Sequence, residues 1–298
     1  MKSLNVIKYS KIWFSVSGAL IVLSILSVLV FGLRWGIDFT GGSLFDLDFE
    51  QDVAPATVVS VLAEASYSAV AQQSDTGIII RSTPLEPVQH EEIIVLLEER
   101  LGAFEELQFD SVGPAIGNEL KRSAIGAIVL LLILIVLYVA WTFRKISEPV
   151  SSWKYGLLTI FAAIHDIIIP IGAFAIFGHF YGYEINTAFV AAILTVMGYS
   201  INDTIVVFDR TRENLVNERH SEKPFAEIVN KSVVQSFSRS INTSFTTIIV
   251  LLAVYFFGGE TTRPFVLTLI IGIVAGTYSS IFIGSPLLVL WEKVKINK

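Results

Sequence analysis

The stretch INTAFVAAILTVMGYSINDTIVVFDRTREN, residues 185–214, sets the reading of the whole chain. Residues 185–207 form an apolar run of 23, long enough to cross a bilayer as a helix. Asp203 lies inside that run, between one and two helical turns before the charged end at Asp209 and Arg210. A carboxylate at the centre of a spanning helix costs about 2.5–3.5 kcal/mol, and less nearer an end. Such a group faces a protein interior or a water-filled cavity, and its default reading is functional. Helical spacing puts Tyr199, Asp203 and Arg210 on one face, with Ser200 and Val207 beside it. A plainer reading stays open: Asp203 as an acceptor between helices, or at the headgroup boundary.

The rest of the composition agrees with a membrane setting. The 298 residues are 53% hydrophobic and contain no cysteine. Mean hydropathy is +0.66, which does not fit a soluble domain of this length and points to several spans. The absence of cysteine rules out a disulfide framework and a Cys-based metal site. There is no GxxxxGK[ST] loop, so the chain carries no Walker-type ATP site, and no cofactor or metal is expected. Energy for work must come from a gradient or a partner, and the chain is not read as an enzyme.

Six apolar runs divide the chain. The first, residues 12–33, follows Lys2, Lys8 and Lys11. It exceeds the 7–15 residues of a signal-peptide core, and no small-residue cleavage site follows, so it reads as a retained span. The others are 125–143, 156–177, 185–207, a short one at 241–257, and 265–291. The domains are therefore 1–33, a polar and acidic insertion at 34–122, and a five-helix bundle at 123–298.

The insertion alternates strand and helix patterns. Strands are expected at 43–50, 67–72, 77–82 and 104–111, with the middle two joined by a turn at Ser74, Asp75 and Gly77. Helices are expected at 55–66 and 87–101, each opening near a proline, with Gly102 capping the second. Ile93, Ile94, Leu97 and Leu101 face inward there. The order is βαββαβ, the ferredoxin-like pattern or another small α+β sandwich. No catalytic constellation is legible, and His90 reads as a surface histidine because Glu91 and Glu92 do not share its face. Pro114 suits a helix start.

Lys and Arg decide orientation. With a cytoplasmic N-terminus, that side holds Lys2, Lys8, Lys11, Arg144, Lys145, Lys154, Arg210, Arg212, Arg219, Lys223, Lys231, Arg239, Lys293, Lys295 and Lys298. The other side holds Arg34, Arg81, Arg100, Lys121, Arg122 and Arg263. Both termini are then cytoplasmic and the acidic insertion extracytoplasmic.

Arg239 precedes the fifth run by about half a turn and shares a face with Asn242, Thr243, Thr246 and Val250. It either snorkels to the interface or faces Asp203 across the bundle. His165 and Asp166 sit mid-span; neighbours point about 100° apart, so they are not expected to form a ready-made relay. With Tyr199, Asn202, Asn242 and Thr243 they are candidates for a hydrated polar core. Gly272, Gly276, Ser280 and Gly284, spaced by four, form a stripe for close helix packing, in this chain or against another subunit.

GIDFTGG (36–42), VGPAIGNEL (112–120), the HD pair at 165–166, GYSINDTIVVFDRTREN (198–214), SRSINTSFTT (238–247) and GTYSSIFIGSPLL (276–288) run through nearly the whole chain. In this series the chain resembles the SecF family, the smaller membrane subunits of the bacterial SecDF protein-export complex. The resemblance implies a resistance-nodulation-division type bundle, one six-helix half per subunit, with SecD supplying the other. It also implies proton-motive-force-driven help to preprotein export in the cytoplasmic membrane, beside the SecYEG translocon and YajC. It places the proton-coupling charges on Asp203 and Arg239. Two other readings remain: a half-size exporter subunit of the same superfamily, and a non-transporting membrane assembly factor.

Overall fold

In the computed structural model, residues 5–74, 77–144, 151–218 and 223–296 are described. In chain order the elements are α1 (Ser10–Phe31), α2 (Ile37–Thr40), β1 (Gly42–Phe49), α3 (Pro55–Glu64), β2 (Ala69–Gln73), β3 (Ile78–Ser82), α4 (Pro87–Leu101) and β4 (Phe104–Val112). There follow α5 (Pro114–Thr142), α6 (Ser152–Tyr181), α7 (Thr187–Asn217), α8 (Phe225–Phe257), α9 (Arg263–Ser279), a π-helical segment (Ser280–Gly284) and α10 (Ser285–Ile296). They form two compact units. One holds residues 34–126 and 184–187; the other holds 1–33, 127–183 and 188–298.

The sheet unit is built on four strands in the order β2-β3-β1-β4, every neighbouring pair antiparallel. Alternation along the strands turns Phe45 and Leu47 of β1 and Ile78 and Ile80 of β3 into one core. Val58 and Leu62 of α3, and Ile93 and Leu97 of α4, meet them from helix positions four apart. Pro55 and Pro87 open α3 and α4, where a missing N–H is no loss. Glu86 and Gln89 add a capping box to α4, and the Gly102 N–H closes it on the Glu98 carbonyl at 3.1 Å. His90 is tied to Glu106 at 2.8 Å and stacks on Phe109. Its partner comes from β4 and not from its own helix.

Gly41 and Gly42 turn the chain from α2 into β1 with φ of 73° and 136°, a region that side chains rarely adopt. A Cβ on Gly42 would also lie 2.8 Å from the Ser82 carbonyl oxygen. The glycine pair thus lets β1 start beside β3. Residues 184–187 belong to this unit, although 185–187 are counted with the fourth span on hydropathy. The Ile185 N–H donates to the Arg34 carbonyl at 2.7 Å, and the Gly36 N–H donates to the Ile185 carbonyl at 2.9 Å. Glu184 forms an ion pair with Arg81. Burial pushes the Glu184 carboxyl above its ordinary value, against the opposing pull of Arg81 and Arg34.

Six helices among the described residues are long and apolar enough to cross a membrane, the last running from α9 through α10. The fifth is not short: α8 begins at Phe225, well before the apolar run at 241. Hydropathy registers only the part that lipid can accept, whereas the backbone hydrogen bonds of a helix continue into water. The second span likewise begins at Pro114. Within the helical unit α1 and α6 approach closely, with Gly172 against Ser24. Val6, Val207, Val233 and Ile281 make one buried cluster. Phe143 and Tyr155 stack at 5.0 Å, with Phe208 edge-on to Tyr155 at 5.2 Å. Asp75, Lys2, Lys145, Arg219 and Lys298 lie outside the described residues, as do the side chains of Lys293 and Lys295.

Candidate functional site

The site grows from α7. Residues at spacings of three and four along it, Ala192, Val196, Ser200, Asp203, Thr204, Val207, Phe208 and Thr211, are buried. Against this face lies the small-residue stripe of the last span. Gly272 meets Val196, and a Cβ on Gly276 would be 2.7 Å from the Ser200 Cβ. Gly284 lies against Thr204 and Phe208. The partner of the stripe is a helix of this same chain, and the close approach brings the side-chain hydroxyls of Ser279 and Ser280 to the carboxylates of Asp166 and Asp203.

Asp203 is 5% exposed. Ser240 of α8 donates to its Oδ1 at 2.9 Å, and Ser280 donates to its Oδ2 at 3.3 Å. Hydrogen bonds to a charged group are worth about 1.5–3 kcal/mol each, so the two serines offset part of the cost of burial. Asp166 of α6 is fully buried. Its Oδ2 accepts from Ser279 at 2.7 Å and from Ser200, and its Oδ1 meets His165 Nδ1 at 2.8 Å. The His165–Asp166 contact corrects the expectation from helix spacing. That spacing constrains Cβ directions, while two flexible side chains can still bend their tips together.

The two carboxylates are joined through consecutive residues. Ser279 serves Asp166 and Ser280 serves Asp203, at the point where α9 gives way to the π-helical segment. Such bulges in helices occur frequently at functional sites. On α7, Ser200 and Asp203 are three residues apart, so each helix contributes to both carboxylates. His165 Nε2 is buried without a hydrogen-bond partner among the described residues.

The other sequence candidates lie apart from this network. Asn202, Arg239, Asn242 and Thr243 are exposed. No ion pair joins Arg239 to Asp203 among the described residues. Tyr199 is half-buried, its hydroxyl 3.4 Å from that of Thr247. A cavity of about 300 Å³ is lined by Arg239, Arg210, Asp209, Glu213 and Gln235. There Arg210 is held by Glu213 at 2.7 Å. The serines that hold the carboxylates were not legible as ligands. Only Ser240 had a signal, as one of a row of serines, Ser232, Ser236, Ser240 and Ser244, recurring every four residues along α8.

Known proteins share this architecture. The family profile described as protein export membrane protein SecD/SecF, C-terminal, matches residues 93–294, and the SecD/SecF GG motif matches 26–53. A protein translocase subunit SecF of Thermobaculum terrenum is 44% identical, covering 97% of this chain and 94% of that one. The SecF of Sebaldella termitidis is 37% identical over 98% of this chain and 93% of its own. A crystal structure of Thermus thermophilus SecDF, titled a translocon-associated membrane protein, superposes with a TM-score of 0.85 at 36% identity. That match covers 98% of this chain but only 39% of the SecDF chain.

Proposed function

The chain belongs to the SecD/SecF protein-export membrane family, and from that premise we propose that it is the proton-responsive SecF half of a two-part translocation accessory complex. It is a multi-pass, SecF-like translocase subunit. Its complement in this proposal is a SecD-type subunit. SecDF relatives carry this chain's counterpart in a longer polypeptide, of which this chain spans 37%. The complex would work beside SecYEG and YajC in the bacterial cytoplasmic membrane. The excess of Lys and Arg on one set of loops supports cytoplasmic termini and an extracytoplasmic sheet unit.

One observation carries the proposal. Asp203 is buried on two serine hydroxyls, while the adjacent face of α8, with Arg239, Asn242, Thr243 and Thr246, is left exposed. A polar face between apolar stretches of a span needs a protein neighbour or water. A second six-helix half would cover it and bring its own charges toward Asp203. Protonation of Asp203 would then weaken its hold on Ser240 and Ser280 and shift the helices that carry them. Asp166, whose donors all come from this chain, would act as the fixed anchor of the same network. The sheet unit supports contact with exported chains: β2 and β4 are edge strands, which can accept an extended polypeptide.

The test is export into inverted vesicles with and without a proton gradient. Asp203→Asn should assemble and lose the gradient-driven part, and Arg239→Lys should be impaired because it loses the planar fork. Full gradient stimulation in an assembled Asp203→Asn complex would overturn the proposal.

A further inference from the structure

A second polar region lies at the start of α1, beside the first turns of α8. Residues 5–9 do not trail away. Val6 is buried against Val207, Val233 and Ile281, and its carbonyl accepts from Trp13 Nε1 at 3.2 Å. The Ile7 N–H donates to Asn230 Oδ1 at 3.4 Å. This strap and the first turns of α8 line an open groove of about 760 Å³, with Asn5, Lys8, Lys11, Glu227, Asn230 and Lys231 along it. Lys231 is engaged by Glu218 at 2.5 Å. Lys8 and Lys11 are exposed, and neither has an ion-pair partner among the described residues.

The groove continues into apolar surface. Ile12, Val16, Leu20 and Leu23 make an exposed stripe up α1, and Val234, Ile241 and Phe245 of α8 are also exposed. Cations with no ion-pair partner among the described residues, at the mouth of a span with apolar tracks along it, match the two halves of a phospholipid. We propose that this pocket binds the headgroup of an anionic diacyl phospholipid, with Lys8 and Lys11 on the phosphate and the acyl chains along α1 and α8. Basic pockets between spanning helices are known to take such headgroups. The apolar tracks distinguish a lipid from a free phosphate, which would use only the lysines. The strap holds the two lysines in place through Val6 and Trp13. No residue lining this pocket donates to Asp166 or Asp203, and lipid retention is read without any proton gradient, so this proposal can fail independently of proton coupling.

The experiment uses the purified full chain in nanodiscs of phosphatidylglycerol with phosphatidylcholine, and counts lipids retained on release by native mass spectrometry. The wild type should retain phosphatidylglycerol in preference to phosphatidylcholine. Lys8→Gln with Lys11→Gln should bind it about twentyfold to thirtyfold more weakly, at about 1 kcal/mol per lysine near an anionic surface. Lys8→Arg with Lys11→Arg should retain it, which separates charge from misfolding. Equal retention by the glutamine variant would overturn the proposal. So would thermal protection by inorganic phosphate alone equal to that given by the lipid.

Discussion

Asp166 and Asp203 lie on neighbouring helices, and serine hydroxyls hold both. Asp166 has three donors from three elements of its own chain and no exposed surface. Asp203 has two, and it borders the exposed face of α8 that carries Arg239. A buried carboxylate held by three donors from its own chain is fixed in its geometry. One with lone pairs to spare, beside a face that awaits a neighbour, can respond to what arrives. Under the proposed function, this difference would separate a structural acid from a switching acid on neighbouring helices.

The largest expected effect divides the two directly. Asp203→Asn should abolish gradient stimulation of export, whereas Asp166→Asn in assembled complexes should leave a measurable part of it. One charge crossing the field is worth about 2.3 kcal/mol per 100 mV, a tenfold bias or more. Loss of stimulation in both variants, with normal assembly, would merge the two roles. Next, Asp166→Ala should destabilise the chain by about 3 kcal/mol, because it strands the hydroxyls of Ser200 and Ser279 and the ring of His165. Thermal unfolding in detergent would read this, and an unchanged midpoint would deny Asp166 its anchoring role.

Much of this was legible and some was not, for identifiable reasons. Asp203 stood out because a carboxylate in a span is costly. The helices of the sheet unit were marked by Pro55, Pro87 and Gly102, and its strands by alternation. The extension of α8 to Phe225 was hidden, because residues 225–240 are polar enough to look like a loop. The serine donors were hidden because pairing Ser240 with Asp203 or Ser279 with Asp166 needs the relative rotation of two helices, which no single-helix projection contains. Asp38 lies 149 residues from Thr187, and nothing local announces that the two meet.

Smaller effects grade the contrast further. Ser280→Ala and Ser240→Ala should each cost about 1 kcal/mol and shift the pH at which gradient stimulation is half-maximal. Ser279→Ala should cost a similar amount without moving that midpoint, since it serves Asp166. A shift in the Ser279 variant equal to that of the Ser280 variant would show the two acids titrating as one. The smallest effect concerns Glu184, a third buried carboxyl, which is met by an arginine instead of serines. Its folded value is raised from 4.5, so the folded state holds the proton more tightly than the unfolded chain. Its contribution to stability is present below about 4.5 and lost as pH rises through the folded value. Glu184→Gln should flatten the melting midpoint over that window, and an unchanged slope would assign it elsewhere.

The Asp38 carboxylate takes both the backbone N–H and the hydroxyl of Thr187, at 2.8 and 2.6 Å, and Thr187 is the first residue of α7. From that clasp α7 runs as one uninterrupted helix to Asn217 and contains no proline. Asp203 is sixteen residues along it, about 24 Å at 1.5 Å per residue. A helix of that length is far stiffer along its axis than any loop. Under the proposed function, a shift of α7 at Asp203 would be carried along one continuous helix toward its first residue, Thr187, rather than lost in a loop.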